Sequence, residues 1–226
     1  MRIGIIAEGH TDIVIIKAIL KALINIDGSD ILSIRPKEQY DETDLDELKF
    51  SNWNLVLKSC EDRNLLQSFF DFIDEDSILI IQIDTAERGE SGYDIFTPLR
   101  SKDTNWKQYS DEIRTAVKNK ITSLLPEEYR EKVMFAITIE ETDAWLIPLY
   151  DNTLANDTSQ FANPKERFHK IIGKIDKNKK YIDTRKKNLN YEMISKDIRK
   201  GLNKCRSKNR SLDIFCLEIE EKINIM

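Results

Sequence analysis

Residues 1–23 read MRIGIIAEGHTDIVIIKAILKAL, and residues 77–84 read SILIIQID. In the first stretch an apolar run over 2–7 stops at Glu8-Gly9-His10-Thr11-Asp12. A longer and almost wholly apolar run follows over 12–24. Length separates the two: a short run rich in isoleucine reads as a buried strand, the longer one as a buried helix. Thr11 is the expected N-cap of that helix, and Gly9 is expected to let the chain turn sharply. The second stretch is another short apolar strand, and it ends at Asp84. Strands apolar on both faces belong in a parallel sheet covered on both sides. Ligands of such sheets sit in the crevice beyond the carboxyl ends of the strands. Two strands that each deliver a carboxylate there predict a divalent-metal site.

The rest of the chain alternates in the same way as far as residue 150. Further strands are expected over 31–34, 54–58 and 133–139, and further helices over 65–73 and 109–125. Residues 38–49 are polar and acidic and read as an exposed excursion. Residues 86–105 hold Gly89, Gly92 and Pro98 without a period and read as a loop. Loops of that length are uncommon and often functional. Past Asp151 the pattern is helical only. Asn163-Pro164-Lys165-Glu166 opens one helix, another is expected over 191–205, and Ser211 is expected to cap the last. The expectation is an α/β Rossmann-type sheet, mainly parallel, with helices on both faces, over 1–150. A helical basic extension over 151–226 would pack on it.

At 226 residues and 40% hydrophobic content the chain can bury a real core. No run approaches the roughly 18 apolar residues of a membrane span, and residues 1–23 lack the pattern of a signal peptide. Cys60, Cys205 and Cys216 are widely spaced and odd in number, which fits neither a zinc site nor a disulfide framework. A cytoplasmic location is expected. The net charge of −5 hides an asymmetry, because residues 164–210 hold 17 Lys+Arg against 5 Asp+Glu. The remainder is therefore strongly acidic. Solvated helix faces would explain the basic stretch, and so would a polyanionic partner.

Hard cations such as Mg²⁺ take oxygen ligands and are held by one or two carboxylates plus water or phosphate. Glu8 and Asp84 are the first candidates. Asp12 in the first helical turn is a further one, with helix capping as its competing account. With only two histidines, a His-ligated metal is not expected. His10 can touch a phosphate or be an exposed turn residue, and His169 reads as a surface residue. Trp145 reads as core sooner than as a base-stacking platform. No phosphate-binding Gly-rich loop is present, so nucleotide hydrolysis would have to come from a partner.

Ile5-Ile6-Ala7-Glu8-Gly9-His10-Thr11-Asp12 resembles the first motif of the Toprim fold, in which a strand leads through Glu-Gly to an acidic residue that opens a helix. The 78–84 strand is similar to the second motif, a hydrophobic strand ending in Asp-x-Asp. Asp143-Ala144-Trp145-Leu146-Ile147 resembles the acidic-Ala-Trp-Leu-Leu signature of small stand-alone bacterial Toprim-like proteins. Residues 191–215, with Ile194-Ser195 and Asn209-Arg210-Ser211, resemble their C-terminal segment. The likeness covers most of the chain. It departs at one place: the second Asp of Asp-x-Asp would fall at position 86, which is Ala86.

The resemblance implies Mg²⁺- or Mn²⁺-dependent phosphodiester chemistry, as in the overcoming-lysogenisation-defect nucleases. It implies an endonuclease of DNA or RNA, tRNA included, acting in antiphage defence beside an ATPase partner. Glu8, Asp84, Asp143 and Asp12 would be its catalytic residues, and Glu8, Asp84, Glu87 and Asp143 its metal ligands. Glu87 would stand in for the missing ligand at 86, with Glu140 and Glu141 as further candidates. Lys179, Lys180, Arg185, Lys186, Lys187, Arg199 and Lys200 would neutralise substrate phosphates. No membrane partner is expected, and homo-oligomerisation is left open. Two rivals remain: a Toprim module without catalysis that binds an ATPase or nucleic acid, and an enzyme acting on a small phosphorylated substrate.

Overall fold

The computed structural model describes residues 1–37, 51–71, 77–175, 180–183 and 188–225. The four strands β1 (Arg2–Ile6), β2 (Ile31–Arg35), β3 (Ser77–Ile83) and β4 (Val133–Ile137) pair in the order β2-β1-β3-β4, every pair parallel. All residues of β3 and β4 are buried, as their largely apolar runs require. From β1 the chain passes through α1 (His10–Leu23) to β2 on one side, and β3 and β4 add on the other. The strand order thus reverses between β1 and β3. That reversal opens a crevice at their carboxyl ends, where Glu8 and Asp84 lie.

Alternation along the strands divides the core in two. Ile3, Ile5, Ile78, Ile80, Met134 and Ala136 face α1, α5 (Asp143–Tyr150), α6 (Pro164–Ile175), α7 (Tyr191–Lys208) and α8 (Arg210–Ile225). Ile6, Leu79, Ile81, Ile83, Phe135 and Ile137 face α2 (Trp53–Glu61), α3 (Arg63–Asp71) and α4 (Trp106–Leu124). Helices therefore cover both faces, and the C-terminal helices share one core with the sheet. Gly4 in β1 makes room for this packing: a Cβ there would lie 2.7 Å from the Phe69 ring of α3. No helix among the described residues is long and apolar enough to cross a membrane. The three cysteines are buried free thiols.

Several local expectations are corrected. Residues 54–58, expected as a strand, lie in α2, whose N-terminus Asn52 caps by accepting from Leu55 N–H at 2.9 Å. The apolar run there, Leu55-Val56-Leu57, is too short to separate the two periods, and the cap decides for a helix. The segment past residue 151 is not purely helical: β5 (Ile182–Asp183) and β6 (Asn188–Leu189) form a short antiparallel pair. Helix α1 starts at His10 with Gly9 as its N-cap, so Thr11 lies inside the first turn. Gly9 is extended, with φ −153°, and is not a sharp turn. What its missing side chain provides is space, because a Cβ would sit 3.1 Å from Asp12 Oδ2. Asn209, not Ser211, caps α8 by accepting from Leu212 N–H. The Ser211 hydroxyl instead accepts from the indole N–H of Trp145, which is fully buried and stacked on Phe215. Residues 86–105 hold no strand or helix, as expected. The excursion over 38–49 lies outside the described residues.

Candidate functional site

The carboxyl ends of β1 and β3 are tied together by reciprocal bonds. Asp84 N–H donates to Glu8 Oε1 at 2.6 Å, and Glu8 N–H donates to the side-chain oxygen of Gln82 at 2.9 Å. Gln82 is fully buried in an otherwise apolar strand. Its amide nitrogen donates to Asp84 Oδ1 at 2.8 Å, so one side chain orients both acidic segments. Oδ1 also accepts from the hydroxyls of Thr138 at 2.5 Å and Thr142 at 3.3 Å, which come from the end of β4. Three donors on Oδ1 hold the carboxylate in one orientation. Oδ2 has no hydrogen-bond partner among the described residues.

Two helix N-termini bring two more carboxylates. Asp12 lies in the first turn of α1 and Asp143 in the first turn of α5, both buried. The N-cap residues Gly9 and Thr142 make no side-chain cap bond, and the positive helix ends favour acids there. The Thr142 side chain also eases the ionisation of Asp12. Asp143 Oδ1 accepts from the Tyr191 phenol at 2.6 Å, which ties α7 to the site. Lys165, in the first turn of α6, attracts both Asp12 and Asp143.

Burial and crowding leave these acids reluctant to ionise together. Burial, reinforced by the charges of Asp12 and Glu87, pushes Glu8 up to about 8. Burial and the neighbouring Asp143 push Asp12 up to about 6. Asp143 is also pushed up to about 6, by burial and then by Glu141. Asp84 lies well above the usual carboxylate range, through burial and the charges of Asp12, Glu8 and Asp143. An all-oxygen donor set in which like charges raise one another suits a hard divalent cation such as Mg²⁺ or Mn²⁺. Among the described residues, no three His, Cys, Asp or Glu side chains are already drawn into a closed ligand group.

A cleft of about 660 Å³ opens over this cluster, lined among others by Asp12, Asp84, Asp143, Lys165, His169 and Tyr191. His10 is exposed on its wall. Glu8 and Glu87 do not line it; Glu87 is half-buried and acts on Glu8 by charge. Glu140 takes another role. It sits at φ +66° and its carboxylate pairs with Arg88 at 2.8 Å and with Arg100. Its backbone oxygen accepts from Thr85 N–H and Ala86 N–H, stitching the chain after β3 to the chain after β4. Glu141 accepts from Lys165 N–H at 3.1 Å and so holds the start of α6 beside the cleft.

The structure thus gathers Glu8, Asp12, Asp84, Glu87 and Asp143 at one sheet end. Arg199 and Lys200 are exposed on α7 and do not line the cleft. The Lys180 ammonium donates to Tyr181. Lys179, Arg185, Lys186 and Lys187 lie outside the described residues. Sequence reasoning passed over Gln82, Thr138, Thr142, Lys165 and Tyr191. Gln82 carried a signal, since a polar residue inside an apolar strand needs a buried partner. The others carried none, because their importance depends on which elements meet. Comparison with known proteins finds no matching family model, no matching curated protein and no matching solved structure.

Proposed function

We propose that this chain is a divalent-metal-dependent phosphodiesterase of Toprim type that cuts DNA or RNA. The observation that carries the reading is the convergence of Glu8 and Asp84 from the ends of two adjacent parallel strands with Asp12 and Asp143 from the first turns of α1 and α5. The order of the motifs and the Toprim resemblance support it. Asp84, Asp143 and Asp12 would hold Mg²⁺ or Mn²⁺, with Glu8 and Glu87 completing the set. When bound, the ion polarises the scissile phosphodiester. Gln82, Thr138 and Thr142 fix the Asp84 carboxylate with its second oxygen uncommitted. Tyr191 fixes Asp143. Lys165 sets a positive charge on the cleft wall, where it can meet a phosphate oxygen.

The test is a cleavage assay of the purified chain on tRNA, single-stranded DNA and duplex DNA with Mg²⁺ or Mn²⁺. The assay is run alone and with the product of the adjacent gene, because an ATPase partner in antiphage defence is proposed on the resemblance. Cleavage by wild type and its loss in Glu8→Gln and Asp84→Asn is expected. No cleavage under any condition overturns the enzymatic reading. Ala86 favours one alternative, a non-catalytic module that docks on a partner: it is exposed, and its N–H is spent on Glu140 O. Calorimetric titration separates the two, since the module binds no Mg²⁺ or Mn²⁺ at this site.

A further inference from the structure

The cleft over the carboxylates does not end at α6. A second cavity of about 680 Å³ adjoins it and shares Glu141, Lys165 and His169 as walls, then continues past Asn163, Glu166 and Lys170. Either cavity alone has the volume of a whole small-molecule site. Joined, they form a groove that leads away from the acids along one helix. Lys165 and His169, at i and i+4, stand on one face of α6, and Lys170 lines the outer cavity beside them. The opposite face is anchored, because Pro164, Phe168 and Ile172 are buried in the core. The row of cationic and ring N–H groups is therefore carried by a fixed support.

The acids in this groove are already engaged. Glu141 accepts the Lys165 N–H, and Glu166 pairs with Lys170 at 2.6 Å. Arg199 and Lys200, further along the same basic stretch, are placed differently. The cleft is rimmed by the first turn of α7, at Tyr191 and Glu192, whereas Arg199 and Lys200 follow roughly 12 Å further along that helix.

We propose that the sugar-phosphate backbone of the nucleic acid runs along α6, with Lys165, His169 and Lys170 as its phosphate contacts, and not along α7. This rests on the nuclease reading and adds the path of the substrate. A continuous groove suits an extended polyanion better than a small phosphorylated metabolite, which would be satisfied by the first cavity. Contacts of this type are insensitive to base sequence and weaken steeply with salt.

The experiment measures fluorescence anisotropy of a labelled 20-nucleotide DNA and its RNA counterpart with the full chain carrying Asp84→Asn, which prevents cutting. His169→Glu/Lys170→Glu is compared with Arg199→Glu/Lys200→Glu across a salt series; all four side chains are exposed, and thermal melts verify that both variants fold. The α6 pair is expected to weaken binding about tenfold or more and to flatten the slope of log affinity against log salt by about one. The α7 pair is expected to change affinity less than about threefold. Binding that survives the α6 pair, or falls only with the α7 pair, overturns the path and leaves the nuclease reading standing. If neither oligonucleotide binds the parent protein even at low salt, while wild type still hydrolyses a small phosphodiester, the polymeric substrate and its path both fail.

Discussion

Asp84 is the most constrained acid of the cluster. Three donors converge on one of its oxygens, its own N–H grips Glu8, and its backbone oxygen accepts from the Tyr93 phenol at 2.8 Å. Such a side chain is oriented at the expense of its solvation. The consequence for stability has a definite sign. Glu8 is pushed up to about 8 from an ordinary value near 4.5, and Asp12 and Asp143 to about 6. Below about pH 3 these groups are protonated in both folded and unfolded chains. As pH rises toward 8 the unfolded chain loses these protons first, so the folded state loses stability over that window. The melting temperature of the metal-free protein is expected to fall between pH 5 and pH 8 and to recover on adding Mg²⁺ or Mn²⁺. Asp84→Asn should raise the metal-free melting temperature at pH 8 and abolish the metal-induced gain. A melting temperature flat with pH would contradict this account. Gln82→Met keeps the volume and removes the hydrogen bonds to Glu8 N–H, Asp84 and Thr142. By analogy with lost outer-shell partners, metal affinity should drop about 10- to 100-fold, read by calorimetric titration.

The ends of β3 and β4 are held in register by Glu140, whose position depends on contacts between elements. Its carboxylate meets two guanidinium groups, Arg88 and Arg100, and both of these donate to the Tyr109 hydroxyl of α4 at 3.0 Å. Arg88 also donates to Thr97 Oγ1, so the loop over 86–105 is pinned from beneath. Glu140→Ala leaves two guanidinium groups with no carboxylate between them. Breaking a buried pair of this type costs about 3–5 kcal/mol, which chemical denaturation will read. A loss under 1 kcal/mol would show that the backbone bonds of Thr85 and Ala86 suffice without the side chain. None of this was legible in Glu140-Glu141-Thr142-Asp143, where four adjacent polar residues look interchangeable. All four turn to different partners: Arg88 and Arg100, the start of α6, Asp84, and Tyr191. The expectation of a strand over 54–58 failed for a related reason. A short apolar run satisfies either period, and only the Asn52 cap and the α2 packing against β3 and α4 select the helix.

The whole molecule is two half-cores on one sheet, and the second half-core is closed by chain beyond residue 150. Phe168, Ile172, Ile194, Ile198, Leu202 and Phe215 pack against α1 and the sheet face that holds Ile5 and Ile80. A fragment of residues 1–150 would expose that face. It is expected to be insoluble or to bind apolar dyes without a cooperative melt; a sharp, reversible melt would contradict this. The same helices complete the cleft, because Lys165 and Tyr191 come from α6 and α7. Composition showed the basic character of this region and nothing of its geometry.

The periods, lengths and terminal residues of two apolar runs were enough to derive a parallel α/β sheet with carboxylates at its strand ends, because burial on both faces leaves a local mark on sequence. Glu8 and Asp84 at the strand ends were legible for that reason, whereas the place of Asp143 beside them rests on the packing of α5. Which strand lies beside which was decided only by tertiary packing. So were the grip of Gln82 on both acid segments, the diversion of Glu140 to Arg88 and Arg100, and the arrival of Lys165 and Tyr191 from distant helices. Those facts depend on contacts between elements distant in the chain, and a contact of that kind has no period to announce it.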